Sequence, residues 1–316
     1  MDINSSKMDN NEITEDNVAL PETRCGYVAI VGRPNVGKST LLNHLVGYRI
    51  SAIVNKPQTT RTNVRGIVTQ DNYQVIFTDT PGIHHDSKTL MNKTLNIAAI
   101  AALDSVDAVL MLVEALKWTV EDDLVLKRLE HMKCPVFLLI NKVDRIVEKD
   151  RLFSYIQSVQ SKREFEEIMP ISATKGINTE ELLKKIKPLL PFSEYAFDED
   201  SITDQSLRSI CSEVIREQLM NQLHQEIPYS VAVNIEKFEE MPHRTDIDAT
   251  IWVGKARQKG IVIGKKGETL KRVGIASRKI LEELLENKVV LKTFVRVEEN
   301  WQNNPKKLSD LGIITR

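Results

Sequence analysis

The chain has 316 residues, of which 41% are hydrophobic and 28% are charged, and its formal net charge is −1. This composition is typical of a water-soluble folded protein, and the length predicts two domains because a single core rarely grows beyond about 250 residues. The apolar runs fall well short of the roughly 20 residues that a membrane-spanning helix needs, so no such helix is expected. Three widely spaced cysteines, Cys25, Cys134 and Cys211, fit neither a disulfide framework nor a zinc site, and the N-terminus has no apolar secretion signal. We therefore expect a reducing, cytoplasmic location.

Charge is distributed unevenly along the chain. Residues 1–24 hold six acidic and two basic residues with little apolar material, which predicts a disordered acidic tail. Between Lys255 and Lys292 there are eleven Lys or Arg residues and only four acidic ones. This local excess of positive charge predicts a polyanionic partner for the C-terminal part of the chain.

After the tail, short apolar runs alternate with amphipathic helical patterns. The runs "YVAIVG", "YQVIFTDT", "DAVLMLVE" and "VFLLINK" are of the kind found in buried parallel strands. Helical patterns lie between them, around residues 38–47, 88–103, 120–131 and 149–160. This order predicts a doubly wound α/β sheet over residues 25–192, followed by a polar linker at residues 193–205.

The pattern changes over residues 206–316. A helix with one apolar face precedes "YSVAVNIEKF" and "DIDATIWVGK", which alternate apolar and polar residues as half-buried strands do. A short helical stretch, a second amphipathic helix and the strand "VVLKTFVRVE" follow. We predict a smaller α+β domain whose helices pack on one face of its sheet.

The segment "GRPNVGKS" satisfies the phosphate-loop pattern, with an apolar strand before it and an amphipathic helix after it. Its glycines let backbone N–H groups approach phosphates at the start of the helix, where the dipole also favours anions. Lys38 would neutralise the β- and γ-phosphates, and Ser39 would bind Mg²⁺. The predicted phosphate-binding residues are Gly32, Arg33, Pro34, Asn35, Val36, Gly37, Lys38 and Ser39.

Three further motifs predict that the base is guanine. "DTPG" would place Asp79 near the Mg²⁺ ligands and the Gly82 N–H towards the γ-phosphate. "NKVD" supplies a carboxylate, Asp144, that can accept from the N1–H and the exocyclic amine of guanine, whereas adenine presents an acceptor at N1. "SATKG" can close over the base from the other side. The predicted residues of these motifs are Asp79, Thr80, Pro81, Gly82, Asn141, Lys142, Val143, Asp144, Ser172 and Ala173.

These motifs, together with "PQTTR", "PYSV" and "IGKKG", resemble those of the Era family, bacterial GTPases of ribosome assembly. The resemblance covers the chain from about Gly26 to the C-terminus. It implies that Thr60 reaches Mg²⁺ when GTP is bound, with Thr59 and Thr62 as open alternatives, and that Lys38, Thr60 and Gly82 serve catalysis. It also implies a monomer, and peripheral association with the inner membrane is sometimes attributed to the family, although no amphipathic anchor stands out here.

The predicted site lacks the glutamine that orients water in Ras-like GTPases, because Ile83 occupies that position. His84 and His85 follow it, but we interpret them as solvated loop residues. We therefore expect slow hydrolysis by the chain alone. In related GTPases, an asparagine at the position of Asn35 helps to hold a potassium ion, which supplies positive charge between the phosphates. We expect stimulation by K⁺, by a ribosomal partner, or by both.

The second glycine-lysine loop, "GKKG", is a weak signal by itself, and it lacks the Ser or Thr and the base motifs of a nucleotide site. Its setting, with two strands before the paired helices and one after, is that of a type II KH domain, in which G-x-x-G clamps single-stranded nucleic acid. We expect bases to lie in a neighbouring apolar groove to which Ile261 and Ile263 contribute. The predicted RNA-binding residues are Ile263, Gly264, Lys265, Lys266, Gly267 and Arg272.

The leading hypothesis is thus a GTP-hydrolysing switch that binds small-subunit ribosomal RNA, by resemblance near its 3′ end, and assists 30S assembly. The alternative is an RNA-binding chaperone whose first domain senses guanine nucleotides and rarely turns over. A metabolic phosphate-loop kinase is disfavoured, because the motifs recognise guanine and no acceptor-substrate site is visible.

Overall fold

The computed structural model describes residues 22–54, 61, 63–79, 89–103, 105–223 and 227–314. It confirms the predicted fold class, an α/β sheet followed by a smaller α+β unit. Nothing is described for most of the acidic tail. Arg24, which the sequence places at the end of that tail, is instead the first residue of a strand, and its N–H donates to the Asn72 carbonyl at 2.9 Å.

The first sheet has the strand order β2-β3-β1-β4-β5-β6. Its strands are β1 (Arg24–Val31), β2 (Val64–Gln70), β3 (Tyr73–Asp79), β4 (Ala108–Glu114), β5 (Val136–Asn141) and β6 (Glu167–Pro170). All neighbours pair in parallel except β2, which runs antiparallel to β3. The four predicted apolar runs form β1, β3, β4 and β5. Apart from Arg24, Tyr27 and Glu114, their side chains are buried on both faces, as expected for a covered parallel sheet.

Two edge strands were not predicted from the sequence. In β2 the buried residues are interrupted by the exposed Arg65, and β6 has only four residues, so neither contains a long apolar run. Helices cover both faces of the sheet. They are α1 (Lys38–Val46), α2 (Leu90–Ala101), α3 (Val120–Arg128), α4 (Lys149–Gln160) and α5 (Thr179–Ile186).

The second sheet has the order β7-β8-β9, where β7 (Val231–Met241) pairs antiparallel with β8 (Arg244–Val253) and β9 (Val289–Val297) pairs parallel with β8. Its helices are α6 (Leu207–Gln222), α7 (Ala256–Ile263), α8 (Glu268–Leu285) and α9 (Pro305–Asp310). The long helices α6 and α8 pack on each other and bury an apolar face that includes Val214, Leu219, Val273 and Leu281. The helix-turn-helix of α7 and α8 between β8 and β9 is the arrangement predicted for a type II KH domain.

The connection between the sheets follows the edge of the first one. The Ile67 N–H donates to the Ile202 carbonyl at 2.9 Å, and the Gln74 side-chain oxygen accepts from the N–H groups of Ala196 and Phe197, both at 3.0 Å. The proposed domain limits remain a prediction.

None of the helices within the described ranges has the length and apolar content that crossing a membrane requires.

Candidate functional site

The phosphate loop lies between the end of β1 and the start of α1, on the edge of the sheet where parallel strands end. Gly37 precedes α1 with a φ of 108°, in the left-handed region that favours glycine. A Cβ at Gly37 would collide with the Asn141 amide, which donates to the Val36 carbonyl at 2.7 Å. A residue of the predicted base motif therefore supports the loop, which leads into the N-terminus of α1, where anions are favoured.

Lys38 is buried within this loop, with 7% of its surface exposed. Its ammonium donates to the carbonyls of Gly32 at 3.0 Å and Arg33 at 3.1 Å. Burial lowers the pKa of Lys38, although the nearby Asp79 carboxylate raises it. A polyphosphate at the loop would supply the negative charge that favours the protonated amine.

Two of the three predicted magnesium-site side chains, Ser39 and Asp79, lie together beside the loop. The Ser39 hydroxyl donates to Asp79 Oδ2 at 2.6 Å, and the Ser51 hydroxyl donates to the same oxygen at 3.3 Å. Hydroxyl and carboxylate oxygens are the hard ligands that Mg²⁺ prefers, so these residues fit a magnesium ion carried by a nucleotide.

The predicted base motifs meet at the ends of β5 and β6. Asn141 Oδ1 accepts from the Ala173 N–H at 3.0 Å, so this one side chain joins the phosphate loop to both base motifs. The Ser172 hydroxyl donates to Asp144 Oδ1 at 2.6 Å. Asp144 itself is exposed, which leaves its carboxylate accessible to a base. Lys142, Val143 and Ala173 lie in the same two loops, as predicted.

Several predicted residues lie outside the described ranges. They are Thr59, Thr60, Thr62, Thr80, Pro81, Gly82, Ile83, His84 and His85. The proposed catalytic roles of Thr60 and Gly82, and the expectation that Ile83 makes hydrolysis slow, therefore stay predictions. Pro34 and Asn35 are described in the phosphate loop, and Asn35 is exposed with a φ of 64°.

A charged network beside the phosphate loop was missed by the sequence analysis. Arg33 Nη2 lies 2.9 Å from Glu114 Oε2, and Arg33 Nε lies 3.2 Å from Asp122 Oδ2. The other oxygen of Glu114 lies 3.2 Å from Lys142 Nζ. Its position in the sequence could have indicated Glu114. It is the last residue of β4, just as the predicted site residues Asp79 and Asn141 are the last residues of β3 and β5.

The second glycine-lysine loop follows α7 and opens α8. Gly264 has a φ of 77°, and a Cβ there would collide with Thr269. Lys265 and Lys266 are exposed, and Lys266 adopts a left-handed φ of 53°, which is uncommon for a residue with a side chain. The loop thus presents two cations on a backbone turn that needs glycine.

A groove of about 460 Å³ runs beside this loop, between α8 and the edge strand β9. It combines apolar side chains with cations, and its lining residues include Leu270, Lys271, Ile275, Arg278, Val290 and Leu291. The apolar groove expected next to "GKKG" therefore exists, but its walls are α8 and β9. Ile263 packs against the core, Ile261 is 42% exposed, and Arg272 is exposed on α8.

Arg61, which follows the predicted Mg²⁺-binding Thr60 in the sequence, joins the first unit to the second by hydrogen bonds. Arg61, which is 4% exposed, donates to the carbonyls of Val231 at 2.6 Å and Tyr229 at 2.9 Å. Burial lowers the pKa of Arg61 to about 9, so the group stays charged at neutral pH. Glu217 on α6 pairs with Arg49 and accepts from the Ile53 N–H at 3.0 Å.

The helix α2 also contacts the second unit. Met91 and Leu95 pack with Trp301 and Leu308, and the Leu90 N–H donates to Asn303 Oδ1 at 2.9 Å. Residues on both sides of segment 55–60, and Leu90 after segment 80–88, therefore touch the part of the chain that carries "GKKG".

Family profiles match both units. A profile described as "50S ribosome-binding GTPase" matches residues 27–142, and a KH domain profile matches residues 226–302.

Among curated proteins, the GTPase Era of Marinobacter nauticus is 44% identical over 293 residues, which covers 93% of this chain and 96% of that protein. The GTPase Era of Pseudomonas putida F1 is 46% identical over 290 residues, covering 92% and 97%.

Two solved structures resemble the whole fold. One is an Era variant of Aquifex aeolicus bound to GDP and AlF4⁻, with a TM-score of 0.88 and 37% identity, covering 93% of this chain and all of that one. The other is Era in complex with MgGDPNP and nucleotides 1506–1542 of 16S ribosomal RNA, with a TM-score of 0.88, 38% identity and the same coverage. These relatives are more than 30% identical to this chain over more than nine-tenths of its length, so the chain belongs to the Era family of GTPases.

Proposed function

We propose that this GTPase binds the 3′ end of small-subunit ribosomal RNA and assists assembly of the 30S subunit, with GTP at the first loop and RNA at the second. The observation that supports this proposal most is that one chain contains both sites. Asn141, Asp144 and Ser172 form a site suited to a guanine base, and the exposed "GKKG" loop lies beside an apolar and basic groove. The related Era structure with MgGDPNP and 16S RNA contains both ligand classes.

At the first loop, Lys38 would contact the β- and γ-phosphates, Ser39 would bind Mg²⁺, and Asp79 would lie behind Ser39 near the ion. When bound, the ion neutralises charge that develops on the phosphate oxygens. Asp144 would accept two hydrogen bonds from guanine. The test is Asp144→Asn, measured by calorimetric titration with GDP and with xanthosine diphosphate. The expected result is weaker GDP binding and gained binding of xanthosine diphosphate, whose carbonyl can accept from the new amide. Unchanged preference for GDP would refute this assignment.

We also propose that K⁺ stimulates hydrolysis, with Asn35 helping to hold the ion. The exposed position of Asn35 in the phosphate loop is compatible with this role. Single-turnover rates should be higher in K⁺ than in Na⁺ buffer, and Asn35→Ala should remove the difference. Equal rates in both buffers would refute the potassium part and leave activation by a ribosomal partner.

At the second loop, RNA phosphates would approach the backbone at Gly264 and Gly267, and Lys265, Lys266 and Arg272 would supply charge. Bases would enter the groove between α8 and β9. Crosslinking and sequencing of RNA bound to the chain, in GTP-analogue and GDP states, should recover the 3′ end of 16S RNA. Recovery of unrelated RNA would contradict the proposed partner.

The contacts of Arg61 and Glu217 support a switch, because they connect the first unit to the RNA-binding unit. A change in the nucleotide site that moved residues near Arg61 would be transmitted to Tyr229 and Val231 at the start of β7. Lys38→Ala separates the two functions: loss of assembly function with RNA binding retained supports the switch, and retained function supports the chaperone.

The proposed setting is a monomer in the cytoplasm, where the three free cysteines would stay reduced. Peripheral association with the inner membrane is a further expectation from the family, and flotation with lipid vesicles would test it.

A further inference from the structure

Glu114 lies outside every predicted motif, yet its carboxylate contacts two of them at once. One oxygen accepts from Arg33 Nη2 in the phosphate loop at 2.9 Å, and the other lies 3.2 Å from Lys142 Nζ in the base motif. Burial raises the pKa of Glu114, but the hydrogen bonds and charges of Arg33 and Lys142 outweigh it and keep the pKa below its ordinary value. The carboxylate is therefore charged at neutral pH and holds both cations.

The contact with Arg33 is fixed on a second side. Arg33 Nε donates to Asp122, which is fully buried and accepts at 2.9 Å from both the N–H and the hydroxyl of Thr119. Because Arg33 is itself only 7% exposed, its guanidinium has little freedom to leave this site. The carbonyl of Arg33 also accepts from Lys38 Nζ at 3.1 Å, so the same residue contacts the phosphate-binding amine.

The network runs parallel to a second connection between the same loops. Asn141 joins Val36 to Ala173 through neutral hydrogen bonds, on one side of the phosphate loop. Glu114 joins Arg33 to Lys142 by charged contacts. A single connection allows the two loops to rotate about it, whereas two separate connections fix both their distance and their orientation.

We propose that Glu114 is a positioning residue that sets the base motif against the phosphate loop and thereby determines affinity and selectivity for guanine nucleotides. The inference rests on the nucleotide site proposed above. Glu114 touches neither phosphate nor base in this account; it acts through Arg33 and Lys142.

The test is Glu114→Gln, with Glu121→Gln as the matched control, because Glu121 is exposed on α3 and loses the same charge without touching Arg33. Dissociation constants are measured for GDP and for inosine diphosphate, which lacks the exocyclic amine that Asp144 would bind. Glu114→Gln should weaken GDP binding about tenfold and reduce the preference for GDP over inosine diphosphate. A merely structural role would lower the melting temperature and leave that preference unchanged, and this result would overturn the proposal.

A double-mutant cycle of Glu114→Gln and Lys142→Gln provides the second measurement, and Glu114→Asp replaces Glu114→Gln in the cycle if the latter does not fold. If the double variant loses less binding free energy for GDP than the two single variants do in sum, the shared contact is supported; additive losses would overturn it.

The wild-type chain separates this inference from the proposed function. If it shows no preference for GDP over ADP, the nucleotide site is refuted; if it prefers GDP and Glu114→Gln binds like the control, only the role of Glu114 is refuted.

Discussion

The molecule contains two glycine-lysine loops that open helices, and their surroundings differ more than their sequences do. In the first, Lys38 is 7% exposed and lies at the end of a parallel sheet, beside Asp79 and Asn141. In the second, Lys265 and Lys266 are exposed beside an open groove. A closed site with fixed donors suits one compact polyphosphate, whereas an open basic surface suits a chain of phosphates that extends beyond the loop. The tertiary setting of each loop therefore indicates its ligand.

The glycines Gly37 and Gly264 show that the two loops also differ in what supports them. At Gly37 a methyl group would collide with Asn141, a residue about a hundred positions away in the chain, so that loop depends on long-range packing. At Gly264 it would collide with Thr269 in the following helix. The first loop is thus supported by the whole sheet, and the second is formed largely by its own helix-turn-helix.

The largest expected effect is that of Lys38→Ala. It removes a buried charge that would contact the β-phosphate of GDP and the β- and γ-phosphates of GTP, and we expect the affinity for both to fall by roughly a hundredfold or more. RNA affinity measured without nucleotide should change less than twofold. Fluorescence titration of labelled GDP and of RNA checks both values, and a parallel loss of RNA binding would show that the two loops are not separate sites.

The reciprocal change is Lys265→Ala together with Lys266→Ala. If each lysine neutralises one phosphate, the slope of log K against log salt for single-stranded RNA should flatten by roughly 1.4. At about 0.15 M salt this corresponds to a loss of roughly fifteenfold in RNA affinity. GDP affinity should not change. RNA titrations at several salt concentrations measure the slope, and an unchanged slope in a folded variant would place the RNA contacts elsewhere.

A smaller effect, on the link between the loops, is expected from Arg61→Gln. The variant loses a charged donor to the Tyr229 and Val231 carbonyls, which should lower the free energy of unfolding by about 1 to 3 kcal/mol. The ratio of RNA affinities in the GTP-analogue and GDP states should move towards one. Arg151→Gln, on the exposed face of α4, is the control.

Thermodynamic linkage defines the result that would contradict the prediction for Arg61→Gln. RNA must change the ratio of GTP-analogue and GDP affinities by the same factor as nucleotide changes RNA affinity. If Arg61→Gln leaves this factor at its wild-type value, the contact joins the two units without transmitting the nucleotide state.

Much of the fold followed from local sequence. The buried strands β1, β3, β4 and β5 are continuous apolar runs, and α4 has the predicted limits because its pattern is regular. The edge strand β2 was missed because its register depends on pairing with β3, which local alternation does not specify.

The nucleotide-site motifs were found because spacing and strand context define them. The Glu114 network and the Arg61 contacts were not, because their partners lie 81 and about 170 residues away and meet only in the folded chain. The groove wall was misplaced for a similar reason, since β9 reaches α8 only through its parallel pairing with β8.

The most direct test of the central claim, that one loop holds GTP phosphates and the other holds RNA phosphates, is the stoichiometry of GDP binding with and without bound RNA. Isothermal titration of the full chain should give one GDP per chain in both conditions. Two GDP molecules per chain in the absence of RNA would contradict the assignment of the second loop to RNA.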